Sequence, residues 1–502
     1  MRAIPERRTE FLLLLVFAIA LAAHVRFFHY TVDDAFISLR YAENWAEGRG
    51  LVFNPGERVE GYTNFLWTAL LAAGLRAGLE PVMFGKGMGL AAGILLCSGA
   101  FLFARRRLPR HSLAFLVPVP LVASGAFAVW CGAGLETSLF ALLLFSGTAA
   151  ATGPESPGRF TAASLLFALA TLTRPEGALL FAVVLGDRLI LRRTPVRSTA
   201  PGALLFFAIV GAHEAWRIAY YGDPLPNTFY AKSGGGFRAA GRGLRYLAKY
   251  AGPFGGWTAL APVPLLFAGP LRRWERTFLL VLAAYLAYVV VVGGDSLPFY
   301  RFLVPAIPLL AVLAVAGLDR LFSFRDGNVS GIRVFAFALL LALPLHSSFR
   351  GETVRFLEED RDRIDLHWTV IGKWLRMNAE PGASIAVTVA GAIPYYSKLP
   401  AVDMLGITEP FIARKKMPAM GGGLAGHEKY DMEHVLSRKP TYILHYPFLL
   451  PEPVFRTGHF RTPWNRGLAE LLESATFDRE YRGESAAIGP MHLVYFKRKE
   501  GV

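Results

Sequence analysis

Cysteine and charge are both scarce in this chain, and each scarcity removes a class of protein. Of 502 residues only two are cysteines, Cys97 and Cys131, and both lie in apolar stretches. They support neither a disulfide framework nor a thiolate metal site. Charged residues make up 18% of the chain against 53% hydrophobic ones, whereas a soluble globular domain carries about a quarter charged residues. An apolar excess of that size must face something other than water. Basic residues nevertheless outnumber acidic ones, for a net charge of +15. They are not gathered into one patch with interleaved aromatics, which argues against nucleic acid as a partner. Also missing are a Gly-rich strand-to-helix phosphate loop, so no nucleotide site is expected, and the inverted repeats of many secondary transporters.

What the chain has instead is a succession of apolar runs. Phe11 to Ala23, Phe278 to Val292 and Val304 to Leu318 carry almost no charge over lengths approaching the ~20 residues that cross a bilayer. A segment in lipid satisfies its backbone hydrogen bonds internally, so such runs form a helical bundle or a closed barrel. Strict alternation is absent, which excludes the barrel. A cleaved signal peptide, with Ala20 and Ala22 as the small-residue site, explains the first run alone; an anchored helix explains it together with the runs that follow.

The basic residues sit between these runs. Arg2, Arg7 and Arg8 precede the first, and Arg105 to Arg110, Arg188 to Arg197, Arg272 to Arg276 and Arg320 to Arg325 follow later ones. That is the pattern of cytoplasmic loops beside anionic lipid headgroups. If 64–80 and 84–104 both crossed, Arg105 to Arg110 would fall on the outer face, so 64–80 is expected to be short or parallel to the membrane. About eleven spans then remain, with the N-terminus inside. The expected setting is a multi-pass protein of the bacterial inner membrane. Outer loops at 31–63, 134–137, 173–177, 223–232 and 293–301 follow from this topology.

After Ser348 the composition changes, with the charge run Glu358 to Asp365 in place of apolar stretches. The expected division is a membrane module over 1–347 and a soluble extracytoplasmic α/β domain over 348–502. Ser384 to Tyr396, Thr441 to Tyr446 and Met491 to Phe496 read as strands, and Asp362 to Asn378 as helix.

Two acids stand together just beyond the first run, in Thr31-Val-Asp-Asp-Ala-Phe-Ile-Ser-Leu-Arg-Tyr. The segment Leu51-Val-Phe-Asn-Pro-Gly-Glu-Arg-Val-Glu-Gly-Tyr-Thr-Asn-Phe follows. The helical segment between acids and turn, then the aromatic run, resemble membrane glycosyltransferases of the GT-C class. Within that class the wording is similar to the AftB-type terminal arabinofuranosyltransferases. Further matches are Gly134-Leu-Glu-Thr, Leu172-Thr-Arg-Pro-Glu-Gly, Pro226-Asn-Thr-Phe-Tyr-Ala-Lys, Gly293-Gly-Asp-Ser-Leu-Pro-Phe-Tyr-Arg-Phe, Asp403-Met-Leu-Gly-Ile-Thr-Glu-Pro and Gly426-His-Glu-Lys. The resemblance implies an α-helical polytopic bundle and transfer of a sugar, usually with inversion, from a polyprenyl-phosphate donor. For the AftB type that donor is decaprenyl-phosphate arabinofuranose. The implied acceptor is a cell-envelope polysaccharide or glycolipid on the outer face.

The chemistry of the residues can be argued beside the resemblance. Sugar transfer to a hydroxyl needs a base within hydrogen-bond reach, and Asp33 or Asp34 fits. Successive residues point in different directions, so one of the pair serves as base, Asp33 being favoured. Asp34 then orients the acceptor or binds a divalent cation such as Mg or Mn. A plain helix N-cap is the competing role for Asp33. A leaving lipid phosphate calls for fixed cations, and Arg301 and Lys232 follow apolar spans at headgroup level. Snorkelling is their competing role, and Asp295 could pair with Arg301 instead of meeting substrate. Arg174 and Glu176 flank Pro175 and suit either a buried ion pair or a ligand. Glu136 is expected to serve a site. Arg40, Tyr41, Asn54, Glu60, Tyr62, Asn64 and Asn227 are candidates for sugar contacts, with packing as the alternative, and His427 for the acceptor. Rival readings are a transporter or flippase of lipid-linked glycans, which calls for ionisable residues at mid-helix, a non-catalytic receptor, or a GT-C enzyme moving mannose, another hexose or a whole glycan.

Overall fold

In the computed structural model the described residues are 3–153, 156–251, 265, 270–323, 331–418, 420–455 and 467–500. The part of the basic cluster at 324–325 lies outside them. The chain forms two compact units. The first gathers Met1–Tyr30, Met83–Ala215 and Gly243–Leu357, and the second Thr31–Val82, Trp216–Arg242 and Glu358–Val502.

The first unit is helical. Among the described residues, four helices of the chain are long and apolar enough to cross a bilayer: Arg8–Phe28, Pro81–Arg107, Val196–Tyr221 and Arg273–Val292. A fifth candidate is the pair His111–Ala123 and Gly125–Gly132, bent by 67°. Shorter apolar helices include Thr137–Ala151 and Gly158–Thr173. Aromatic side chains fill the interior. Phe103 stacks on Phe278 at 5.0 Å, with Phe145 and Trp274 edge-on to that pair, an arrangement that suits the ring quadrupoles. Helices approach closely where glycine allows it. A Cβ at Gly89 would stand 2.5 Å from the Cys131 carbonyl oxygen, and one at Gly93 as close to its Sγ. Cys97 and Cys131 are both buried.

The unit's polar groups pair with one another. Asp187 holds Arg192 at 2.7 Å and Arg276 at 3.1 Å, while Glu275 pairs with Arg320. Arg110 pairs with the buried Asp319 at 3.4 Å, so four of the basic clusters expected in loops carry buried acid partners, as buried charges require.

The second unit is built on a six-stranded sheet: β1 (Ile385–Val387), β2 (Ala401–Asp403), β3 (Tyr442–Leu444), β4 (Leu449–Leu450), β5 (Tyr481–Ile488) and β6 (Met491–Arg498). β1 lies between β2 and β3, parallel to both. β6 runs antiparallel to β3, β4 and β5. The β5–β6 hairpin turns at Gly489, whose φ is +59°. Side chains alternate between faces, as the strand period demands. Ile385, Val387, Leu444 and Leu493 join a core with Ile371 and Leu375 of the Thr369–Asn378 helix. Ile37, Tyr41, Leu51, Phe53 and Tyr62, distant in sequence, complete it. Ala386, Val402 and Ile443 face a second core with Val435, Leu468 and Phe477.

The strand expected over 384–396 forms only at 385–387. Gly391, at φ −92° and ψ −97°, turns the chain, and Ala392–Ser397 is helical. The run expected to be helical from 362 to 378 is helical, with a π segment at Arg363–Trp368. From the 64–80 run comes the helix Phe65–Arg76, which at ~1.5 Å per residue is about 18 Å long, short of the ~30 Å hydrocarbon layer.

Candidate functional site

In the first unit the sequence candidates Glu136, Arg174, Glu176, Asp295 and Arg301 come together. Arg174 lies just past the Pro157–Thr173 helix, Glu176 opens the Glu176–Gly186 helix and Glu136 immediately precedes Thr137–Ala151. The Arg174 guanidinium donates to Glu176 at 2.6 Å and to Glu136 at 2.8 Å. It thus ties three helix ends, and Tyr288 donates to the other Glu176 oxygen at 3.3 Å. Arg301 and Asp295 make a two-pronged pair at 2.7 and 3.3 Å. The Phe302 ring lies 4.9 Å from the Arg174 guanidinium and 5.2 Å from that of Arg301, which links the two pairs.

The backbone that presents Arg301 is unusual. Gly293 and Gly294 adopt φ of +87° and +71°, and Phe299 and Tyr300 follow at +58° and +50°. Aromatic residues rarely accept the left-handed region, and such strain persists only where surroundings over-determine it. Here Trp130 donates to the Phe299 carbonyl at 3.2 Å, and the Phe302 amide donates to the Tyr246 hydroxyl at 3.3 Å. Two arginines face three carboxylates in this cluster, so any anion approaching Arg301 competes with Asp295.

The second unit holds the acidic pair. The helix carrying it is Asp33–Ala46, and its N-cap is Val32. Asp33 therefore does not cap its own helix. Its carboxylate instead accepts the backbone amides of Gly391 at 3.1 Å and Ala392 at 2.8 Å, closing the start of the Ala392–Ser397 helix. A Cβ at position 391 would stand 2.1 Å from the Asp33 carbonyl oxygen and 2.4 Å from its carboxylate, so glycine is required there. Burial pushes the Asp33 carboxyl up to about 7, against the opposing pull of the two amides; the neighbouring Asp34 adds to the rise. Among the described residues no hydrogen bond or ion pair engages the Asp34 carboxylate, which is half-buried.

Most other candidates in this unit are committed to the protein's own backbone. Arg40 donates to the carbonyls of Phe53 at 2.7 Å and Leu399 at 2.8 Å, to that of Pro394, and to the Asn54 side chain at 3.1 Å. Asn54 in turn exchanges hydrogen bonds with both backbone groups of Ala401. Tyr41 donates to the Val59 carbonyl at 2.7 Å and accepts from the Gly61 amide at 2.8 Å. Glu60 is paired with Arg217 at 2.8 Å. The Tyr62 and Tyr221 hydroxyls meet at 3.2 Å, Asn64 bonds Ser38 at 3.0 Å, and Asn227 donates to the Gly406 and Ile407 carbonyls at 2.9 Å. Lys232 ends the Asn227–Lys232 helix, and its Cε lies 3.2 Å from the place a Cβ on Gly426 would occupy. His427 follows in the same loop, its Nδ1 3.3 Å from the Ala425 carbonyl.

Sequence reasoning did not single out Arg217, Tyr288 or Phe302. A charged residue inside the apolar run 202–221 was the available signal for Arg217; Phe302 ends the matching string 293–302, and nothing in the sequence marks Tyr288. Among the described residues no three His, Cys, Asp or Glu side chains gather so as to hold a metal ion. Asp33 and Asp34 are the acids that a divalent cation at the pair would use.

Comparison with known proteins places these findings. A family model described as a domain of unknown function (DUF8728) matches residues 356–488. Over 343 residues, 57% of the chain, the sequence is 29% identical to the terminal beta-(1->2)-arabinofuranosyltransferase of Corynebacterium glutamicum, covering 48% of that protein. Over 259 residues, 48% of the chain, it is 31% identical to the protein of the same name from Mycobacterium tuberculosis, covering 40% of it. The chain thus spans less than half the length of these curated relatives. Among solved structures, ArnT from Cupriavidus metallidurans bound to undecaprenyl phosphate matches with a TM-score of 0.60 over 97% of both chains, at 14% identity. The apo form of ArnT also gives 0.60, over 96% of this chain and 97% of that one. By sequence, then, this multi-pass membrane protein is similar to the terminal arabinofuranosyltransferases, and its fold is that of ArnT.

Proposed function

We propose that the protein is an inverting glycosyltransferase of the bacterial inner membrane. It moves a sugar, arabinofuranose by preference, from a polyprenyl-phosphate donor to a cell-envelope glycan. In this reading the chain spans the membrane about eleven times, with a membrane module over 1–347, and residues 31–63 and the domain 348–502 lie on the extracytoplasmic side. The acceptor hydroxyl oxygen attacks the anomeric carbon, and an aspartate of the 33–34 pair takes its proton. The bond from that carbon to the phosphate oxygen breaks, and polyprenyl phosphate leaves with the electron pair. Arg301 and Lys232 are assigned to the phosphate, and Asp295 orients the guanidinium of Arg301.

The observation that carries the reading is the acidic pair. One carboxylate, Asp33, has its carboxyl raised to about 7. The other, Asp34, stands beside it. Asp33 already accepts two amides, so the pair divides naturally into a fixed member and one open to a hydroxyl, and the geometry favours Asp34 for the proton and Asp33 for positioning. The similarity to proteins named arabinofuranosyltransferases supports the choice of sugar, and undecaprenyl phosphate bound to ArnT supports the lipid carrier.

The test supplies the purified full chain with synthetic polyprenyl-phosphate arabinofuranose, mannose or glucose and an envelope glycan acceptor, with products read by mass spectrometry. Arabinose transfer is expected, with Asp34→Asn below a hundredth of the wild-type rate, a loss of about 10²-fold or more as for removal of a general base. Normal turnover by both Asp33→Asn and Asp34→Asn would remove the pair from proton transfer. Preference for mannose or glucose would replace the sugar.

A further inference from the structure

The second unit contains a cavity of about 370 Å³ that none of the roles above uses. It lies where the Asp33–Ala46 helix ends, ten residues and so about 15 Å along the axis from Asp33. Four basic side chains line it, Arg40, Arg49, Arg376 and Lys398, together with Glu43 and Glu47. Lys398 pairs with Glu43, and Arg49 with Glu47. Arg40 is buried and spends its donors on carbonyl oxygens and an amide, which leaves its charge without a contacting carboxylate. Arg376 is exposed at the rim. Cations therefore exceed acids at this wall, and Arg376 and Arg40 offset part of the attraction between Lys398 and Glu43.

Two further features show that the arrangement is imposed by the fold. Lys398 occupies the left-handed C-cap of the Ala392–Ser397 helix at φ +60°, a place where glycine is the usual residue. Its ammonium also lies 3.9 Å from the centroid of the Tyr395 ring. Like charges held together in a concave site are costly unless an anion joins them.

We infer that this cavity is a binding site for a sugar phosphate, such as a phosphorylated residue of a glycan, with Arg376 and Lys398 facing the phosphate, the buried charge of Arg40 adding its field from behind the wall, and Glu43 and Glu47 accepting sugar hydroxyls. The volume sits at the low end of small-molecule sites, ~300–1,000 Å³, and suits one phosphorylated ring. A neutral sugar leaves the cationic excess uncompensated, and carboxylates at the wall disfavour bare phosphate.

The experiment titrates the purified full chain with glucose 6-phosphate, glucose, inorganic phosphate and phosphatidylglycerol vesicles, by calorimetry. Saturable binding of glucose 6-phosphate is expected, weakened about tenfold or more by Arg376→Glu, as the loss of a charge-assisted contact implies. Lys398→Gln should weaken it as well, whereas Asp34→Asn should bind like wild type while losing transfer, so this site and the transfer reading fail separately. Absence of saturable binding, or equal affinity in Arg376→Glu at unchanged melting temperature, overturns the inference. Inorganic phosphate binding as tightly as the sugar phosphate overturns the sugar component. Vesicles displacing the sugar phosphate reassign the wall to lipid headgroups.

Discussion

The two compact units use charged side chains in opposite ways. In the first, charge answers charge: Arg174 to Glu136 and Glu176, Arg301 to Asp295, Arg192 and Arg276 to Asp187. Its backbone is helical and satisfies itself, so an ionisable group there finds its partner among other side chains. In the second, charge answers backbone. Asp33 takes two amides, Asp403 takes those of Leu405 and Thr408 at 2.9 Å, and Lys429 donates to the carbonyls of Tyr230 and Ala413. Long stretches of this unit, 47–64 and 420–431 among them, form neither helix nor ladder. Their buried amides and carbonyls need partners from side chains. Charge pairs occur in the second unit as well, Glu60 with Arg217, Arg242 with Glu428 and Lys398 with Glu43 among them, so the difference is one of emphasis.

This contrast can be broken by substitution. The largest effect is expected for Arg40→Met, which removes four hydrogen bonds, to the Phe53, Pro394 and Leu399 carbonyls and to Asn54. Phe53, Pro394 and Asn54 keep another donor each, so the cost is that of the lost charge-assisted bonds, about 1.5–3 kcal/mol apiece, and should exceed about 4 kcal/mol in total. No change of a second side chain should rescue it, because three of the partners are backbone. Arg174→Met should cost about 3–5 kcal/mol by stranding two buried carboxylates. Here adding Glu136→Gln and Glu176→Gln should recover most of the loss. Thermal unfolding followed by tryptophan fluorescence reads both; rescue of Arg40→Met, or failure to rescue Arg174→Met, would erase the distinction.

Gly391→Ala should cost about 1–3 kcal/mol by forcing Asp33 away from the amides it closes. A smaller signature is expected with pH. An aspartate in the unfolded chain titrates near 3.8 and Asp33 in the fold near 7, so between those values the folded state holds the proton more tightly. Asp33's contribution to stability is therefore full below pH ~4 and lost as pH rises through ~7. Melting curves from pH 4 to 8 should show wild type losing stability relative to Asp33→Asn across this window. Parallel curves would mean that Asp33 titrates normally. The smallest effect belongs to the exposed pair of Arg482 and Glu484 on β5, where Arg482→Ala should stay within about 0.5 kcal/mol.

Sequence alone was enough to mark the long apolar helices and the strands at 442–444 and 491–498, because hydrophobic content and β-branched alternation are local properties. The acidic pair and the polar strings at 134–137, 173–177 and 293–301 also stood out, since charge beside an apolar run is conspicuous wherever the chain goes. The partner of Arg40, by contrast, lies at 394 and 399, that of Asp33 at 391 and 392, and that of Asn227 at 406 and 407. A side chain's role was legible where its surroundings were its chain neighbours. Where a buried carbonyl or amide from hundreds of residues away had to be satisfied, only the tertiary structure decided which polar residue does it.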